Sequence, residues 1–205
     1  MYLDNVKTNA GTNYLTEKEE QHLFSTIKDR RSSQANRDYV LLKVCRLLGL
    51  RRGEVLALNV GDVQDKEHLD LDERIAEKGG LGKLHIPEEM RDLIRKFLYR
   101  RRMFGETLDI STPLFVSKKG NRLSSRAFND LMNKWCLEAG LPRYTPHALR
   151  HTKAQRIMAD IARLNPKEQV KKLLFIKKQL RHKSINASAI YAGPTKEEMD
   201  RVARI

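Results

Sequence analysis

Thr145-Pro146-His147-Ala148-Leu149-Arg150-His151-Thr152 opens a helix. Threonine can accept from a free N–H of the first turn, and proline suits the first helical position, where its missing N–H costs nothing. His147 and Arg150 then stand three residues apart, on one face of that turn. A helix N-terminus already attracts phosphate through its unpaired N–H groups and the positive end of its dipole. An imidazole and a guanidinium on the same face make it a candidate oxyanion clamp. Alone, a His-x-x-Arg pair is more often structural, so the rest of the chain decides.

Downstream, helical spacing covers about 147–162, 167–180 and 184–190, and Pro194-Thr195 with Glu198 starts a last short helix. Upstream, a helix over about 124–138 is capped by Ser124 or Ser125 and stopped by Gly140, and another covers about 88–104. Between Val60 and Pro87 the period changes. His68-Leu69-Asp70-Leu71-Asp72 and Lys83-Leu84-His85-Ile86 alternate polar and apolar, with Gly79, Gly80 and Gly82 between them, which predicts a small antiparallel hairpin. Arg52 to Leu58 reads as a short helix after Gly49, Arg37 to Leu48 as a longer one, and Arg30 to Asn36 as a polar loop. The first helix starts at a capping box, Thr16 with Glu19, and runs to about Lys28. Residues 1–14 are a polar lead-in. The fold class expected is mainly α with a small antiparallel β-sheet (α+β), as one domain over 15–205.

The chain has 205 residues, with 40 Lys and Arg against 26 Asp and Glu, a net charge of +14. That excess points to a polyanion, most commonly nucleic acid, although ribosomal, membrane-surface and heparin-binding proteins share it. Cys45 and Cys136 lie in apolar helical stretches without CxxC spacing, which reads as buried reduced thiols rather than a zinc site. The start lacks the apolar core of a signal peptide, and the most apolar stretch, Val40 to Leu50, is interrupted by Lys43 and Arg46. A soluble, cytoplasmic, nucleoid-associated protein is expected. No nucleotide-binding loop and no carboxylate cluster suited to magnesium is evident, so no cofactor and no metal are expected.

Two further places carry chemistry. In Leu50-Arg51-Arg52-Gly53-Glu54, Arg51 and Glu54 share a helical face. In Leu180-Arg181-His182, a histidine precedes Tyr191 by nine residues. Together with His147 and Arg150, these segments resemble the tyrosine recombinase (phage integrase) family. Gly49 to Glu54 is similar to its first arginine box, and Glu77-Lys78-Gly79-Gly80, with Lys83 and Pro87 beyond, to its hairpin lysine segment. Thr145 to Thr152 matches its His-x-x-Arg box, and Leu180 to Ile185 with Tyr191 matches its histidine and nucleophile box.

The resemblance implies the catalytic-domain fold of that family, compact and similar to Xer, integrase-like and fimbrial-switch members. It also implies a site-specific recombinase that breaks and rejoins DNA through a 3′-phosphotyrosyl intermediate, without metal or ATP. Tyr191 is then the nucleophile, and Arg51 and Arg150 hold the non-bridging oxygens through forked, permanently charged donors. Lys78 donates a proton to the leaving 5′ oxygen, His147 assists proton transfer at Tyr191, His182 hydrogen-bonds the phosphate, and Glu54 orients Arg51. The glycine turn has about one extra residue, which makes Lys83 the alternative lysine. Arg181 stands where the family usually has glycine. The step from Arg150 to His182 is lengthened and carries Lys171-Lys172 and Lys177-Lys178, either a solvated face or a DNA-backbone contact.

Double-stranded DNA is the partner implied, bound by a homotetramer on two paired sites, with a monomer expected for the free protein. The tail Pro194 to Ile205 is long enough for one short helix that docks on its own domain or on a neighbour. No N-terminal core-binding domain is seen ahead of residue 15, as in a fragment or a compact recombinase. Tyr99-Arg100-Arg101-Arg102 reads as a solvated helix end or a DNA-facing one. A type IB topoisomerase or telomere-resolvase-like enzyme would use the same chemistry, and relaxation of plasmids without a specific site would mark the former. A non-catalytic DNA-binding regulator of the same fold would form no covalent complex.

Overall fold

Thr16 and Glu19 form the expected capping box: Thr16 Oγ1 accepts from the Glu19 N–H at 3.3 Å, and the Glu19 carboxylate accepts from the Thr16 N–H at 2.8 Å. They open α1 (Glu17–Asp29) in a computed structural model that describes residues 13–77, 80–163 and Glu168. The other elements are α2 (Ser33–Leu48), α3 (Arg52–Ala57), α4 (Val60–Val63), β1 (His68–Leu71), β2 (Gly82–His85), α5 (Glu88–Met103), α6 (Ser125–Glu138) and α7 (Pro146–Ala162). The chain divides into two compact units, Met1–Lys153 and Ala154–Ile205. The second contributes the last residues of α7 to what is described here. The helices expected over 167–180, 184–190 and from Pro194 lie outside the described residues.

Two expectations change. The loop expected over Arg30 to Asn36 is shorter, because α2 begins at Ser33. The Ser32 hydroxyl accepts from the Ala35 N–H at 3.1 Å, and that satisfied donor starts the helix despite its polar first turn. The single turn α4 also went unseen, since four residues show no period. Its start is fixed by the Asp62 carboxylate, which accepts from the Asn59 N–H at 2.7 Å. The hairpin forms as read: β1 and β2 pair antiparallel, His68 opposite His85 and Asp70 opposite Lys83. Where the sequence showed no pattern, between α5 and α6, isolated bridges join Asn59 to Pro113 and Val116 to Arg122. Gly61 permits this, since a Cβ there would come 2.9 Å from the Ile110 carbonyl oxygen.

The core of the first unit is centred on α2, apolar on most of its faces, as a helix enclosed by others must be. Val40, Leu41, Leu42, Val44 and Cys45 are fully buried, and Phe115, Phe128 and Trp135 pack in the same cluster. Polar pins cross it. The Trp135 indole N–H donates to Asp38 at 2.9 Å, the Tyr144 hydroxyl to Glu19 at 2.9 Å, and the Leu15 N–H to the Thr152 hydroxyl at 2.9 Å. Burial and the bond to Glu19 push the Tyr144 phenol well above its ordinary range. Each pin satisfies a buried polar group that would otherwise cost about 1–3 kcal/mol.

Arg101 is not part of a solvated helix end. It is buried, ion-paired to Glu106 at 2.6 Å, and it donates to the Leu114 carbonyl at 2.9 Å, so it staples the α5 end to the following loop. Cys45 and Cys136 are both buried and free. Among the described residues no helix is long and apolar enough to cross a membrane.

Candidate active site

The site grows from the end of one helix. Gly49 ends α2 in the left-handed conformation, φ 67°, which glycine adopts without steric cost. The last carbonyls of a helix have no partner within it, and they form the negative end of its dipole. Two cations of α7, three residues apart on one face, meet that need. The Arg150 guanidinium donates to the Gly49 carbonyl, and Lys153 Nζ donates to the Leu47 carbonyl at 2.6 Å. The Cys45 thiol lies beneath, 3.5 Å from the Leu50 carbonyl and 3.8 Å from that of Pro146. The end of α2 thereby seats the start of α7.

Two residues after Gly49, Arg51 is the N-cap of α3. Glu54, fully buried, binds it twice: the carboxylate accepts from the Arg51 N–H at 2.7 Å and from its guanidinium at 2.8 Å. The same guanidinium reaches the Glu77 carbonyl at 3.4 Å, and the Glu77 N–H returns to Glu54 at 3.4 Å. Arg51 is thus held between α3 and the start of the hairpin turn, with its side chain 19% exposed. Arg150 is 4% exposed. Arg150 and Glu54 both act on the Cys45 thiol, Arg150 lowering its pKa and Glu54 raising it. Burial dominates and pushes it to about 12, so this thiol stays protonated and is no nucleophile at neutral pH.

His147, exposed in the first turn of α7, stands edge-to-face with His151, ring centroids 4.3 Å apart. Two predicted residues, Arg51 and Arg150, therefore meet at the turn from α2 to α3, with Glu54 binding Arg51, and His147 stands three residues before Arg150 on α7. Lys83 does not join them on any contact seen. It is on β2, exposed, and 3.9 Å from Asp70 across the hairpin. Lys78, His182 and Tyr191 lie outside the described residues.

The sequence did not single out Glu77, Lys153 or His151. A signal for the second was available, since a glycine-capped helix leaves carbonyls that a cation elsewhere must meet. Among the described residues, no group of three or more His, Cys, Asp or Glu could hold a metal. Two fixed guanidinium groups beside a helix N-terminus suit a tetrahedral oxyanion such as phosphate.

Glu54 offers a direct test. Glu54→Ala removes the cap of α3 and leaves the Arg51 guanidinium without its carboxylate, so a loss of about 3 kcal/mol is expected in urea unfolding. Glu54→Gln keeps an acceptor for the Arg51 N–H and should lose less. A fall under about 1 kcal/mol for the alanine variant would show that Glu54 does not hold Arg51 in place.

The phage integrase family model matches residues 13–198. Tyrosine recombinase XerC of Thermodesulfovibrio yellowstonii is 28% identical over 163 residues, 76% of this chain and 49% of that protein. XerC of Haemophilus ducreyi is 28% identical over 199 residues, 91% of this chain and 60% of that protein. This chain thus spans only about half to three fifths of these relatives. Among solved structures, XerA recombinase superposes with a TM-score of 0.70 at 21% identity, over 97% of this chain and 64% of that one. XerH site-specific recombinase bound to its difH substrate gives 0.67 at 22%, over 92% and 52%. These likenesses match the mainly helical fold with its small sheet.

Proposed function

The chain belongs to the phage integrase family, and on that premise we propose that it is a site-specific DNA recombinase working through a covalent phosphotyrosyl intermediate. The observation that carries this reading is the pairing of Arg51 and Arg150 around one helix turn, each anchored by a separate protein acceptor. Breaking a phosphodiester requires fixed positive charge around the phosphorus, a nucleophile, and an acid for the leaving oxygen. The two arginines supply the first, holding the non-bridging oxygens.

The Tyr191 hydroxyl oxygen attacks phosphorus, its proton passing toward His147, and His182 hydrogen-bonds the phosphate. The bond to the 5′ oxygen breaks, Lys78 protonates that oxygen, and a 3′-phosphotyrosine with a free 5′-hydroxyl results. Attack by a 5′-hydroxyl from a partner strand reverses the step, so the bond energy is kept. Lys78 is favoured over Lys83 because it follows Glu77, whose carbonyl already meets Arg51. Residues 15–205 are read as the catalytic domain. Duplex DNA is the partner, and four protomers on two paired sites are the proposed working assembly.

The test is covalent trapping. The full chain is incubated with a pool of nicked duplexes with randomised arms, and complexes surviving detergent are sequenced. A protease-sensitive protein–DNA adduct enriched for one arm sequence is expected. No adduct from a pool covering all arm sequences would leave a DNA-binding protein without strand transfer. Adducts spread over every sequence would indicate topoisomerase-like chemistry.

A further inference from the structure

At the opposite end of α2 from Arg51 and Arg150 lies a second concave surface. It is a groove of about 1090 Å³ between the α1–α2 turn, the first turns of α2, the C-terminal half of α5 and residues 116–118. Eight Lys and Arg side chains line it against one carboxylate, Glu106, and Glu106 is already ion-paired to Arg101. Arg37 is fixed in the wall, donating to Asp38 at 2.8 Å and to the Val116 carbonyl at 2.9 Å. Lys28, Arg31, Lys96 and Lys118 are exposed, and none makes an ion pair or side-chain hydrogen bond among the described residues. The lining is also apolar. Phe97 and Ile27 are buried beneath it, while Met103 and Phe104 stand 69% and 76% exposed on its rim.

We propose that this groove docks an acidic peptide segment of a partner protein, anchored by apolar side chains. Uncompensated cations call for carboxylates, and an exposed methionine and phenylalanine at the groove's edge call for side chains to cover them. A nucleic acid backbone would leave Met103 and Phe104 uncovered. The groove's α2 residues, Ser33 to Tyr39, lie about 15–24 Å along the helix from Gly49, at 1.5 Å per residue. The inference does not depend on the recombinase reading, since it concerns binding without chemistry.

Fluorescence anisotropy of labelled probes on the full chain tests it. The probes are a short peptide alternating Glu with Phe, the same peptide with Gln for Glu, one alternating Glu with Gly, and a DNA duplex of arbitrary sequence. Saturable binding of the Glu/Phe peptide is expected, with both control peptides at least about tenfold weaker. The exposed pair Arg31→Glu with Lys96→Glu should weaken that peptide about tenfold or more and leave duplex binding within about twofold, with an unchanged melting curve. Phe104→Ser should weaken the peptide independently of charge. Absent binding, equal binding of the Gln peptide, or an equal loss of duplex binding in the charge-reversed variant would each overturn the proposal. The last would make the groove a nucleic-acid contact.

Discussion

Replacing Arg150 by alanine is expected to lower strand cleavage by about a thousandfold, the upper range for loss of one preorganised oxyanion donor. Arg150 is the fifth residue of α7, is 4% exposed, and is held by the Gly49 carbonyl, so its guanidinium is set before DNA arrives. That preorganisation is where the effect comes from, because no reorganisation is needed as charge develops on the phosphoryl oxygens. Arg150→Lys keeps the charge and loses the planar fork. One ammonium serving both the Gly49 carbonyl and a phosphate oxygen would do so with poorer geometry, and a loss of about a hundredfold is expected. Single-turnover cleavage of a trapped substrate measures both variants. Melting curves separate chemistry from the roughly 1–3 kcal/mol that an unpaired Gly49 carbonyl would cost. An alanine variant cleaving within about tenfold of the parent would remove Arg150 from the phosphate site.

The second large effect concerns Tyr191, where phenylalanine should abolish the covalent adduct while DNA affinity stays within about twofold. The substitution deletes only the oxygen proposed to bond phosphorus, so it removes nucleophilic catalysis and leaves the cationic surface intact. Two of the described tyrosines are removed as alternatives by their surroundings. Tyr144 commits its hydroxyl to Glu19 inside the core, and Tyr39 is partly buried with its phenol raised by that burial. Both phenols are held in the protonated form, and so is the Cys45 thiol, which disfavours each as the nucleophile. An adduct that persists in Tyr191→Phe, seen as a detergent-stable band, would move the nucleophile to another residue and overturn the assigned role.

Much of the fold was legible because its signals are local. The capping box at Thr16, the glycine stop at Gly49, the serine cap at Ser124 and the alternation of the hairpin each reside in a few neighbouring residues. The early start of α2 and the single turn α4 were missed for the complementary reason. A cap can start a helix without an apolar stripe, and one turn has no period. The loop from Phe104 to Leu123 carried no pattern because its bridges to Asn59 and its own return depend on partners distant in sequence.

For the site, residue types and spacing were enough to nominate Arg51, Glu54, His147 and Arg150, since a guanidinium or imidazole carries its chemistry wherever it stands. Sequence could not say that Arg101 is a buried staple, or that Lys153 and Arg150 close the end of α2. Those contacts span 101 residues from Arg150 to Gly49 and 106 from Lys153 to Leu47. What was determined along the chain is the inventory of charged donors and the helices that carry them. Which carbonyl each donor meets was decided only by tertiary packing, because a helix end leaves its backbone acceptors open and any cation the fold brings near can satisfy them.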